Sequence, residues 1–157
     1  MATSVFQVTN GGIFFDNKIY AAASGSIVPG RLVKKASGST VTPTVGADIP
    51  CGFAYGLRYK VYTPLTRQFA DGEELTYVWG RGYCLASADY FVGGALPAAA
   101  ALVYAGNNGM MTATAGSNYK VGVVESVVTR TEAVGGVGAS QTLAQIRFDI
   151  SPYGVAA

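Results

Sequence analysis

The sequence predicts an all-β fold, a compact β-barrel or β-tulip-like sandwich of short strands. Short runs rich in Val, Ile, Tyr, Phe and Thr recur along the 157 residues, and these are the residue types that suit a pleated, half-buried surface. Twenty-one glycines, together with Ser, Thr and Asn, separate the runs evenly, which is the punctuation of many strands and turns. The stretch 142–150 alternates, with Leu143, Gln145, Arg147 and Asp149 on one side. Thr142, Ala144, Ile146, Phe148 and Ile150 fall on the other, more apolar side, which should face the core.

In chain order the predicted strands cover 5–9, 13–15, 18–22, 31–34, 40–44 and 52–62. They continue with 74–79, 83–86, 102–104, 110–114, 119–129 and 142–150. Asn10-Gly11, Asp71-Gly72 and Asn108-Gly109 supply residues that accept a positive φ, so each marks a turn. Pro29-Gly30 suits the centre of a type II turn. The most helical stretch is 97–102, where Pro97 precedes four alanines. Six residues make at most one short turn. The Gly-rich run 135–140 reads as a connection between the last two strands.

The length is that of one domain. Residues 1–22 form an N-terminal arm or a first strand, and residues 23–157 form the barrel. Val5, Phe6, Val8, Ile13, Phe14 and Phe15 make the N-terminal segment apolar. Such a segment can be the barrel's own first strand, or it can leave the barrel and add a strand to a partner's open edge. A weak internal echo runs through the chain. Tyr20, Leu32, Val33, Thr42, Thr44, Gly46 and Gly52 recur seventy positions on as Tyr90, Leu102, Val103, Thr112, Thr114, Gly116 and Gly122. Two readings fit: a duplicated β-unit closing one barrel, or the resemblance of any two hairpins of similar length.

Half of the residues are apolar and 13% are charged, against about 25% in an ordinary soluble domain. So little charge suggests that part of the surface is covered by a partner. The net charge is +2 and only Lys34-Lys35 brings two cations together, so no nucleic-acid partner is expected. No apolar run approaches the roughly 18 residues of a membrane span. With no signal segment at Met1-Ala2-Thr3-Ser4, synthesis in the cytoplasm is expected. Cys51 and Cys84 should then be reduced, buried small hydrophobes; a disulfide between them is the alternative.

The chain contains no histidine, the usual general base and the commonest metal ligand. The acidic cluster of Asp71, Glu73 and Glu74 reads as a solvated loop, and no EF-hand pattern is present. Gly80-Arg81-Gly82 lacks the third glycine of a dinucleotide loop, and no phosphate-loop signature occurs. Neither catalysis nor a metal or other cofactor is expected. The aromatic residues remain. Tyr55 and Tyr59 share one strand face, and Tyr77 and Trp79 share another. Cross-strand packing comes first for these residues, an intersubunit contact second, and a ligand platform third.

Five stretches carry a resemblance. They are Ser26-Ile27-Val28-Pro29-Gly30-Arg31-Leu32-Val33 and Ile49-Pro50-Cys51-Gly52-Phe53-Ala54-Tyr55-Gly56. Asp71-Gly72-Glu73-Glu74-Leu75-Thr76-Tyr77-Val78 follows, then Gly94-Ala95-Leu96-Pro97 through Leu102-Val103-Tyr104, then Tyr119-Lys120-Val121-Gly122-Val123-Val124. Their order resembles the bacteriophage head-decoration (cement) proteins of the small β-barrel or β-tulip kind. The resemblance implies a homotrimer on the capsid exterior of a virion, with the major capsid protein as partner. Residues 1–22, the Tyr content and the full length exceed a minimal decoration domain. Other expectations are a phage tail-tube or fibre-base β-domain, and a carbohydrate-binding β-domain.

Overall fold

The computed structural model describes residues 5–14, 19–21, 27–55, 69–130 and 141–151. Its strands are β1 (Phe6–Phe14), β2 (Ile19–Ala21), β3 (Leu32–Lys35), β4 (Thr40–Pro43) and β5 (Gly52–Tyr55). The remaining five are β6 (Glu74–Ala86), β7 (Leu102–Ala105), β8 (Met111–Thr112), β9 (Lys120–Arg130) and β10 (Gln141–Ile150). All ten belong to one sheet in the order β2-β4-β3-β5-β6-β10-β9-β7-β8, with β1 also on β6. Because β2 pairs with β6 as well, β2, β4, β3, β5 and β6 close into a five-stranded barrel.

Sequence reading divides β6 into two strands around Gly80-Arg81-Gly82, but it is a single strand of 13 residues. The two glycines allow close approach where a turn was expected. A Cβ on Gly82 would lie 2.6 Å from the Asn10 carbonyl oxygen of β1, nearer than real side chains come. Gly80 takes φ +80 at the point where one edge of β6 passes from β5 to β10. On the opposite edge, β2 pairs with Glu74 and Leu75, and β1 takes over from Val78 to Ala86.

β1 settles which form the N-terminal segment takes. Residues 6–14 run antiparallel to β6 within the same chain, with Phe6 opposite Ala86 and Phe14 opposite Val78. They are a first strand. The 97–102 stretch has no helix; its end enters β7. The helical turns among the described residues are 3-10 turns at Ala88–Tyr90 and Asn107–Gly109.

Two cores share one wall. Ile19, Val33, Val41, Cys51, Ala54, Leu75 and Tyr77 come from all five barrel strands and fill the barrel. Leu32, Phe53, Tyr55 and Val78 alternate with them along β3, β5 and β6, and so point the other way. There they meet Phe6, Cys84, Tyr90, Phe91, Val103, Val124, Ile146 and Phe148. A strand buried on both faces reads as a continuous apolar run, as Gly52–Tyr55 does. β10 follows its predicted alternation through Ala144, Ile146, Phe148 and Ile150. Leu143, on the side expected to be exposed, is buried because Val5 and Leu85 cover it.

The seventy-residue echo is structural. Leu32 faces Phe53, and Leu102 faces Val123; Val33 faces Gly52, and Val103 faces Gly122. Lys34 faces Thr42, and Tyr104 faces Thr112; Lys35 faces Val41, and Ala105 faces Met111. The parallel pairing of Ala21 with Val41 recurs as the parallel bridge of Phe91 with Met111. The hydrogen bond from the Gly30 amide to the Ala54 carbonyl, 2.7 Å, recurs from Ala100 to Val124 at 2.7 Å. Gly30 and Ala100 share a positive φ, as do Gly46 and Gly116. Barrel-core positions Ala21, Val33, Val41, Cys51 and Ala54 correspond to Phe91, Val103, Met111, Val121 and Val124 in the second core.

The units are therefore two copies of one arrangement, not two halves of a barrel. The strands that close the barrel come from the first copy and β6, and the second copy packs its equivalent core on the barrel's outer wall. β6 serves both, as the last strand of the first unit and the first of the second.

Candidate binding surfaces

The side chains proposed as partner contacts divide sharply. Val5 and Phe6 are fully buried: Val5 packs on Leu85 and Leu143, and Phe6 lies among Phe53, Tyr55 and Tyr90. They are committed to the chain's own core. Val8 is half-buried against that core. Ile13 is 51% exposed beside Trp79 and remains on the surface. Phe15 and the Phe14 side chain lie outside the described residues.

Of the four aromatic residues read as intersubunit contacts, Tyr55 and Tyr77 are buried in the two cores. Tyr59 lies outside the described residues. Trp79 packs half-buried on the barrel core. Its indole Nε1 is enclosed and meets no acceptor among the described residues. The structure does not join these four into one exposed strip.

Where the barrel meets the end of the larger sheet, a groove of about 390 Å³ opens. Ile49 and Pro50 form one wall, and Tyr104, Tyr119, Asn118, Lys120 and Asp149 stand around it. Sequence reading does not single out this aromatic pair, because Tyr104 and Tyr119 are far apart in the chain until β7 and β9 pair. Asp149 also accepts from Arg81 Nε at 3.1 Å. With the pair from Arg147 Nε to Glu125 at 2.9 Å, it makes a polar ladder on the exposed face of β6, β10 and β9. Exposed pairs of this kind add little stability.

Arg31 ties the two copies together. Its Nη1 donates to the Asn108 carbonyl at 2.7 Å, and burial lowers its pKa, partly offset by nearby Tyr90. Thr44 Oγ1 donates to the Gly106 carbonyl at 3.0 Å, and the Gly46 amide to Asn107 Oδ1 at 2.7 Å. The β7–β8 tip of the second copy thus docks on the first.

Cys51 and Cys84 are both buried and unpaired. Burial pushes the Cys51 thiol up to about 12, with smaller opposing effects from Lys35 and a backbone hydrogen bond, and pushes Cys84 up further. At neutral pH neither is a nucleophile, because the thiolate is the reactive form. Asp71, Glu73 and Glu74 line the turn into β6. Among the described residues, no three His, Cys, Asp or Glu side chains gather as a metal site.

No protein-family model matches the chain, and no curated protein matches it.

Proposed function

We propose that this chain is a structural virion protein that binds the outer surface of a phage capsid and clamps neighbouring major capsid subunits, acting as a homotrimer. The observation that carries the reading is the single hydrogen-bonded sheet built on β6. It makes one stiff body from two similar halves, and a clamp between neighbours needs stiffness more than a reaction centre. The sequence resemblance acquires a physical basis as well. Stretches 26–33 and 49–56 occupy the same places in the first copy as 96–103 and 119–126 in the second. The cement-like pattern is therefore largely one β-unit written twice. Three linked copies raise capsid affinity by ~10²–10⁴ over one contact.

The test is co-sedimentation of the purified chain with expanded, DNA-filled capsids. Saturable binding at a fixed number of copies per capsid is expected, and no binding refutes the role.

A second reading is carbohydrate binding, favoured by the groove between Tyr104 and Tyr119. It predicts saturation-transfer NMR signals from a simple saccharide that vanish in Tyr104→Ala and Tyr119→Ala. Identical signals in the wild type and both variants would refute it.

A further inference from the structure

The two copies of the β-unit share a register and differ in charge. Between positions 20 and 49 the first copy carries Arg31, Lys34, Lys35 and Asp48. The equivalent positions of the second are Ala101, Tyr104, Ala105 and Asn118, and the whole stretch 90–119 holds no Asp, Glu, Lys or Arg. The fold does not require this, since the same ladder forms with either set. Lys34 and Asp48 make an ion pair of 2.9 Å in the first copy, where the second has Tyr104 and Asn118.

The uncharged stretch is also one place in the molecule. It forms the sheet margin beyond β9: β7, then β8, then the bridge from Met111 to Phe91. Residues 92–95, 98–100 and 113–117 are exposed. Val92 is 50% exposed and Leu102 is 42% exposed. Val45, 58% exposed, adjoins the margin because the next amide, Gly46, bonds to Asn107.

A surface in contact with water alone normally carries interspersed charge. A partner of different sequence can supply opposite charges, and such interfaces use them for steering and register. Near a rotation axis, by contrast, a side chain faces its own kind on the next copy. A charge of either sign there meets its like, and loss of both signs relieves the repulsion.

We infer that the margin formed by residues 90–119, with Val45 beside it, is the face through which this chain associates with further copies of itself. The inference gives the homotypic contact of the proposed clamp a location, and it holds for the chain in solution without any capsid.

Sedimentation equilibrium of the full chain tests it. A closed oligomer that dissociates on dilution is expected. Val92→Glu and Thr112→Glu should shift it to monomer with an unchanged circular dichroism spectrum, whereas Thr42→Glu, the same repeat position in the first copy, should leave it assembled. A wild type that stays monomeric at every concentration overturns the inference, as does a folded Val92→Glu/Thr112→Glu double variant that remains oligomeric. Hydrogen exchange of the unmodified chain gives a reading that does not depend on variants. Protection gained on concentration should fall within 92–117, and gain elsewhere alone contradicts the proposal. Self-association through this face in a chain that ignores capsids would defeat the virion reading and leave this one standing.

Discussion

Phe6 lies 4.9 Å from Phe53, 5.5 Å from Tyr90 and 6.3 Å from Tyr55, centroid to centroid. Phe6→Ala should therefore cost about 3–5 kcal/mol in urea unfolding, and a loss under about 1 kcal/mol would contradict the packing. Gly30 and Ala100 hold the same positive φ in the two copies, but only glycine does so without strain. A Cβ on Gly30 would strike Phe6 and Tyr90 at 2.6 Å, whereas Ala100 is exposed. Ala100→Gly should stabilise by up to about 1 kcal/mol, and a loss of stability would count against equivalence of the two turns. The thiols set an alkaline limit. Cys51 and Cys84 have pKa values raised by burial, so the folded chain keeps protons that the unfolded chain releases. Their contribution is complete below about pH 8.5 and is lost as pH rises toward 12. Between pH 7 and pH 10 the wild type should lose more stability than Cys51→Ala/Cys84→Ala; equal losses would refute this.

At the scale of elements, Gly52 and Gly122 make the same close approach in the two copies. A Cβ on Gly52 would sit 2.5 Å from the Val78 carbonyl oxygen of β6, and one on Gly122 would collide with the Arg147 carbonyl of β10. Gly52→Ala and Gly122→Ala should each destabilise by about 1–3 kcal/mol; a neutral result at either would break the equivalence. β1 belongs to the same argument. As a detached arm, residues 1–15 could be removed without harm, but β1 pairs along β6 and carries Phe6, so their deletion should abolish cooperative unfolding. What was legible in sequence at this scale was alternation, as in β10, and the glycine spacing of the echo. The unity of β6 was hidden, because Gly80 and Gly82 signal a turn locally and only the approach of β1 explains them. Leu143 likewise looked exposed until Val5 and Leu85, distant in sequence, covered it.

For the whole molecule, the all-β class and the barrel were readable from composition and punctuation, since both depend on local propensity. Barrel closure was not, because it depends on β2 reaching β6 across more than fifty residues of chain. The binding surfaces were legible only in part. Apolar and aromatic side chains such as Phe6 and Tyr77 looked equally suited to a core or a partner, and the fold buried them. The absence of charge from 90–119 was present in the sequence, yet it gains meaning only beside the charged first copy in the same register. The clamp reading joins these scales: a repeated unit, one continuous sheet and a margin free of charge. Heating expanded phage capsids with and without the purified chain, and following DNA release, tests it most directly. The chain should raise the temperature of release, and an unchanged temperature at saturating chain would contradict the account.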